Sequence, residues 1–281
     1  MRVVVTRDEL REARSRFPVL AFVPTMGFLH EGHLSLIRRA KADWGAVAAS
    51  IFVNPLQFGP TEDLASYPRD LERDLAVLRQ AGCELVWAPG VEDIYPPGFA
   101  TFVDVTGVTE VLEGARRPGH FRGVTTVVNI LLNAVQPTAA YFGQKDAQQA
   151  VVLRAMVTDL AMPVQIVVVP TVREPDGLAM SSRNSYLDAP QRAAATVLIT
   201  ALRAAEAAWG SGESDGDRLR TEMSAVLTAE PLADPDYASV AHPATLVELE
   251  SVDPSVGALA SLAVRIGATR LIDNLVLPPR G

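Results

Sequence analysis

Residues 19–33 read VLAFVPTMGFLHEGH: an apolar run, a short polar turn with glycines, and the start of a helical pattern. The run 19–25 has the length and composition of a strand buried on both faces. Beyond it, Leu34, Ile37 and Ala40–Lys41 recur at helical spacing, so a helix is expected over 32–42. A strand feeding a helix through a tight turn is the repeating unit of a parallel α/β sheet. The first 170 residues continue the theme. Apolar runs at 46–53, 84–88, 139–142 and 164–169 read as further strands, and helical patterns fill 71–81, 123–135 and 146–161. Buried strands alternating with helices predict an α/β fold built on a doubly wound parallel sheet.

The texture changes near 170–188, where Glu174-Pro-Asp-Gly177 marks a turn. Ala-rich helices are expected at 189–209 and 216–229, joined by a Gly/Ser-rich connection. Short strands are expected at 237–241, 262–266 and 270–272. Two domains follow: residues 1–170, and a smaller α+β domain over residues 171–281. No internal repeat stands out.

Composition narrows the function classes. The 281 residues carry 25 Lys and Arg against 33 Asp and Glu, a net charge of −8. An acidic surface has no general attraction for nucleic acid or anionic membrane, so an anionic substrate would need locally concentrated positive charge. The lone Cys83 excludes an intrachain disulfide. The apolar runs are far shorter than the roughly 18 residues of a membrane span. Charged residues follow Val3–Val5 too closely for a signal peptide. A cytoplasmic protein with no nucleic-acid or membrane partner is expected.

Five segments could carry chemistry. Residues 24–33 sit between a strand and a helix, where open parallel sheets bind ligands. Gly27 and Gly32 admit close backbone approach, and a helix N-terminus suits phosphate. His30 and His33, three apart, could face the same phosphates, or they could cap a surface helix. Gly143-Gln-Lys-Asp146 is a second strand-to-helix turn, with Lys145 a point charge for phosphate and Asp146 a ribose ligand or an N-cap. Met180-Ser-Ser-Arg-Asn184 places two hydroxyls and a guanidinium in a turn, suited to a phosphoryl group or to an ST-turn at the surface. Asn54 and Gln57, with Phe58 as a wall, could read a small polar substrate in a loop that otherwise only ends a strand. Arg116-Arg-Pro-Gly-His-Phe-Arg122 is a basic patch, either guiding an anion or solvated. There is no P-loop, no G-x-G-x-x-G and no zinc-ligand spacing.

The strings PTMGFLHEGH, FVNPLQFGPTEDLASYPR, HFRGVTTVV, YFGQKDAQQ and VPTVREPDGLAMSSRNSYL, with the terminal RLIDNL, together resemble the pantoate–β-alanine ligase (pantothenate synthetase) family. HEGH looks like the HIGH motif of adenylate-forming nucleotidylyl transferases, and MSSRN like their KMSKS loop. The resemblance implies a Rossmann-like fold and ATP-dependent condensation of pantoate with β-alanine through a pantoyl-adenylate, releasing AMP and pyrophosphate. It implies catalytic duty for His33, His30, Lys145, Ser181, Ser182 and Arg183. The ATP site would comprise Met26, Gly27, Phe28, Leu29, His30, Glu31, Gly32 and His33, then Gly143, Gln144, Lys145 and Asp146, then Val172, Met180, Ser181, Ser182 and Arg183. Pantoate and β-alanine would meet Gln57 and Gln149, with Asn54 and Arg117 as further contacts. ATP is a substrate, Mg²⁺ would ride on its phosphates, and no residue is assigned as a metal ligand. Asp74 lies near where some relatives contact Mg²⁺, but beside Arg73 it is left without that role. The family's homodimer is expected by analogy. Two other readings compete. A nucleotidylyl transferase would share HEGH and the Ser-Ser-Arg loop but has no use for Gln57 and Gln149. A non-catalytic nucleotide sensor would show gaps in the His pair, the Lys or the loop.

Overall fold

The chain divides into two compact units, Met1–Gln144 with Gln148–Pro170, and Lys145–Ala147 with Thr171–Gly281. The computed structural model describes residues 1–59, 64–65 and 67–280, so residues 60–63 and 66 of the quoted FVNPLQF string lie outside it.

The elements of the first unit are β1 (Arg2–Val4), α1 (Arg7–Arg14), β2 (Ala21–Thr25), α2 (Glu31–Trp44), β3 (Val47–Ile51), α3 (Leu71–Gln80), β4 (Leu85–Trp87), α4 (Val91–Ile94), α5 (Leu112–Arg116), α6 (His120–Val135), β5 (Ala139–Gly143), α7 (Ala147–Asp159) and β6 (Gln165–Val169). Among the described residues they form a six-stranded parallel sheet in the order β1-β4-β3-β2-β5-β6. The chain runs outward from β2 through β3 to β4, then returns to place β5 on the other side of β2. That reversal is the Rossmann-like order, with β1 added at one edge.

Residue parity explains why both faces are covered. Phe22, Ala48, Leu85, Trp87, Ala140 and Phe142 pack with Leu10 and Ala13 of α1, Val124–Leu132 positions of α6, and Val152, Leu153 and Met156 of α7. Their neighbours Ala21, Val23, Val47, Ala49, Val86 and Tyr141 pack with Leu36, Ile37 and Ala40 of α2 and Leu78 of α3. The expected doubly wound sheet is therefore present.

The second unit adds α8 (Ala189–Ala194), α9 (Val197–Gly210), α10 (Gly216–Thr228), β7 (Ala233–Ala241), β8 (Ala258–Ile266) and β9 (Thr269–Leu277). Its strands form an antiparallel sheet in the order β7-β8-β9. Leu198, Leu202 and Trp209 of α9 and Leu219, Met223 and Leu227 of α10 share a core with Leu262 and Val264 of β8. The bidentate ion pair of Arg173 with Asp273, at 2.6 and 3.0 Å, ties the turn after Thr171 to β9. Asp273 is 2% exposed.

The details depart from expectation at several points, of which three bear on the architecture. β1 and α1 precede the first strand read in the sequence; α1 is set by a Thr6/Glu9 capping box, which is local chemistry. The single helix expected over 189–209 is broken between α8 and α9. The strands expected at 262–266 and 270–272 extend to nine residues each, because pairing across the Gly267 turn recruits small residues with little strand preference of their own.

Candidate active site

Pro24 opens the site. The Ala21 N–H bonds to the Ala46 carbonyl on the β3 side, so alternate residues 22 and 24 face β5. Pro24 has no N–H to give there, and the β2–β5 register ends at Phe22↔Ala140, while β2–β3 pairing continues to Thr25↔Ile51. The sheet parts at the carboxyl ends of β2 and β5, the switch point of its strand order, where ligands of this architecture bind.

The turn leaving β2 is tightly specified. Gly27 has φ +83°, and a side chain there would come within 2.9 Å of Asp74 Oδ2. Phe28 holds φ 48°, a left-handed conformation that costs a non-glycine residue on the order of 1 kcal/mol. Asp74, 1% exposed, reaches from α3 to accept hydrogen bonds from the Phe28 N–H at 2.7 Å and the Leu29 N–H at 2.8 Å. Arg73 donates to the Leu29 carbonyl at 2.9 Å, and its guanidinium lies 5.2 Å from the centre of the Phe28 ring. Leu29 is itself core.

His30 is the N-cap of α2. Its Nδ1 accepts from the Gly32 N–H at 3.2 Å, and His33 Nδ1 accepts from the His30 N–H at 3.3 Å. The ring centroids are 4.1 Å apart. With each Nδ1 used as acceptor, the neutral rings carry their protons on Nε2 and are hydrogen-bond donors there. The capping and phosphate readings are thus compatible, since the cap fixes the tautomer a phosphate contact would need. Glu31 pairs with Arg38 two turns further on, and that hydrogen bond holds its carboxyl below the usual range.

The loop after β3 forms the second part. Pro55–Gln57 is one turn of 3-10 helix capped by Asn54, whose Oδ1 accepts from the Leu56 N–H. Asn54, 1% exposed, also donates to Gln57 Oε1 and to the Gly123 carbonyl, both at 3.1 Å, and receives the Tyr95 hydroxyl at 2.7 Å. Burial pushes the Tyr95 hydroxyl well above the ordinary phenol range, so it remains a donor at all working pH. With its Oε1 held, Gln57 turns Nε2 toward Met26 Sδ, 3.1 Å away. The Gln57 carbonyl lies 2.8 Å from His120 Nδ1 and 3.4 Å from an Arg117 donor. Met26, Asn54, Gln57 and Arg117 are thereby brought together in the first unit.

Gln148 and Gln149 part company on α7. Gln148 is buried and holds the 108–113 segment, accepting from the Glu113 N–H at 2.9 Å and donating to the Val108 and Val111 carbonyls at 2.8 Å each. Gln149 is half-buried on the next position of the helix. Gly143 ends β5, and Gln144 begins a 3-10 turn.

In the second unit, Lys145 Nζ lies 3.4 Å from Asp146 Oδ1, and the Lys145 carbonyl accepts from Asn274 Nδ2 at 2.9 Å. Met180 N–H bonds to the Val172 carbonyl at 3.0 Å, closing the hairpin before the Ser-Ser-Arg turn. Ser181 caps that turn by accepting from the Arg183 N–H at 3.3 Å, with Ser182 and Arg183 in the 3-10 segment behind it. Sequence reasoning missed Tyr95 and gave His120, Gln148 and Asp74 no individual role. Among the described residues, no group of three or more His, Cys, Asp or Glu side chains is placed to hold a metal ion. No described helix is long and apolar enough to cross a membrane.

A family model described as pantoate-beta-alanine ligase matches residues 2–276. The chain is 63% identical over 277 residues to the pantothenate synthetase of Herpetosiphon aurantiacus, covering 99% of this chain and all of the relative. It is 61% identical over 281 residues to that of Chloroflexus aurantiacus, covering both completely. The crystal structure of the Thermus thermophilus pantothenate synthetase superposes with a TM-score of 0.94 at 51% identity, over 99% of this chain and 100% of that one. A Francisella tularensis pantoate-beta-alanine ligase, complexed with beta-gamma ATP and beta-alanine, gives 0.81 at 32% identity, over 99% and 98%.

Proposed function

The chain belongs to the pantoate–β-alanine ligase family, and on that premise we propose that it condenses pantoate with β-alanine through an acyl-adenylate. A pantoate carboxylate oxygen attacks the α-phosphorus of ATP, the bond to the β-phosphate breaks, and pyrophosphate leaves. The β-alanine amine then attacks the acyl carbon, loses a proton, and expels AMP. Charge builds on the phosphates in the first step, so positioned donors carry the catalysis. The His30 and His33 rings, 4.1 Å apart and fixed through their Nδ1 atoms at the α2 N-terminus, suit that task, and this observation carries the proposal.

The remaining roles follow the resemblance. His33 is the main phosphate donor, assisted by His30. Lys145, Ser181, Ser182 and Arg183 act on the phosphates, and Gly143–Asp146, Val172 and Met180 hold the nucleotide. Gln57 and Gln149 take the pantoate, with Asn54 and Arg117 supporting. Mg²⁺ travels with the ATP phosphates and needs no protein cluster. Residues 1–170 serve as the catalytic domain and residues 171–281 as a lid. A homodimer in the cytoplasm completes the reading.

The test is AMP release with ATP, pantoate and β-alanine, each omitted in turn, alongside pantoate-dependent exchange of pyrophosphate into ATP. Release should need all three, while exchange should need pantoate and not β-alanine. Exchange that ignores pantoate would exclude this chemistry.

A further inference from the structure

We infer that Asp74 is a positioning residue for the β2–α2 turn, setting where the two histidines stand; this rests on the role proposed for that turn. The turn puts two successive residues, Gly27 and Phe28, in left-handed backbone conformations. Such a turn points successive N–H groups inward and makes a concavity for an anion. Here the anion is supplied by the protein: the Asp74 oxygens take the Phe28 and Leu29 N–H groups, one each, at 2.7 and 2.8 Å. These are short bonds to a carboxylate that is itself 1% exposed. Arg73 grips the same two residues through the Leu29 carbonyl and the Phe28 ring. Two consecutive side chains of α3 therefore hold the residues immediately before His30. The consequence for the ligand is specific: the Phe28 and Leu29 N–H groups are engaged by Asp74, and those of His30, Gly32, His33 and Leu34 by the His30–His33 cap, so within this turn phosphate recognition falls to side chains rather than to these amides. Gly27 is required for the same reason, since its missing side chain is the space into which Asp74 fits.

Asp74→Asn keeps the shape but offers an N–H₂ to one of the two N–H groups it must accept. Hydrogen exchange should find the Phe28 and Leu29 amides protected in the wild type, and exchanging at least about tenfold faster in Asp74→Asn. Pyrophosphate exchange should lose about 100-fold in kcat, the cost of a misplaced catalytic group, with KM for ATP and the Mg²⁺ optimum little changed. Unprotected amides in the wild type, or unchanged kcat in a folded variant, would overturn the inference. So would a loss restored by raising Mg²⁺, which would make Asp74 a metal ligand. If the variant fails to fold, the wild-type amide protection still decides. If the wild type shows no pantoate-dependent exchange, the proposed reaction fails while the amide measurement still reports on Asp74.

Discussion

His33 Nδ1 accepts the His30 backbone N–H at 3.3 Å, so the ring proposed to meet phosphate is also part of the cap of α2. The two duties can be separated. His33→Gln retains a side-chain acceptor at the third helical position, the usual partner in a capping box. It should keep the thermal stability within the ~1 kcal/mol that a cap is worth. Pyrophosphate exchange should nevertheless fall by about 100-fold or more, because the fixed Nε2 donor is gone. Near-wild-type exchange in His33→Gln would remove His33 from the chemistry.

The packing of α6 on the Gln57 turn makes a second prediction with an unusual sign. Replacing a helix-interior glycine by alanine ordinarily stabilises by roughly 1 kcal/mol. At Gly123 an added Cβ would sit 2.2 Å from the Leu56 carbonyl oxygen and 2.7 Å from the Gln57 nitrogen. Both are backbone atoms and cannot swing aside. Gly123→Ala should therefore destabilise by about 1–3 kcal/mol, as overpacking does. It should also raise KM for pantoate, because the turn that aims Gln57 must shift. Denaturant unfolding and steady-state kinetics read the two effects, and a stabilised variant would refute the close approach.

These relationships also mark what the sequence could reveal. The parallel sheet was legible because buried strands and helical periods alternate from residue 19 onward. The polar turns were legible because they follow those strands. Pro24 was visible too, but its meaning depends on which side of β2 its missing N–H faces, and that is a property of the finished sheet. Asp74 could be noticed but not given its bracing role, because its partners lie 45 and 46 residues away. Gln148 and Gln149 are identical in the chain, and only helix rotation makes one a brace for the 108–113 segment. The lengths of β8 and β9 come from mutual pairing rather than from residue preference.

The motif helix has an acid-sensitive fastening at its far end. Asp43 of α2 accepts the Tyr141 hydroxyl at 2.7 Å and pairs with Arg39 at 2.9 Å. The Tyr141 bond, then the Arg39 bond, hold the Asp43 carboxyl below its ordinary value. A lowered folded pKa stabilises above the unfolded value near about pH 4, and that stability is lost as pH falls through the folded pKa. The phenol, pushed up to about 12 mainly by burial, stays protonated throughout this range. Tyr141→Phe should therefore lower Tm at neutral pH, and the gap from wild type should narrow below about pH 4. Melting curves from neutral pH into acid check this; a gap that widens on acidification would contradict it.

The substrate half of the site is tested through Gln57. Its side chain is held by Asn54, but the turn that carries it does not depend on that side chain. Asn54 keeps the Gly123 carbonyl and the Tyr95 hydroxyl, and His120 and Arg117 approach the Gln57 backbone carbonyl. Gln57→Ala should thus fold normally. Loss of one hydrogen bond to a carboxylate corresponds to about tenfold to a hundredfold in affinity. KM for pantoate should rise by that factor while KM for ATP stays near the wild-type value, measured as pyrophosphate exchange with each substrate varied. An equal rise in both would mean that Gln57 serves the nucleotide, or the shape of the whole turn, rather than the small acid.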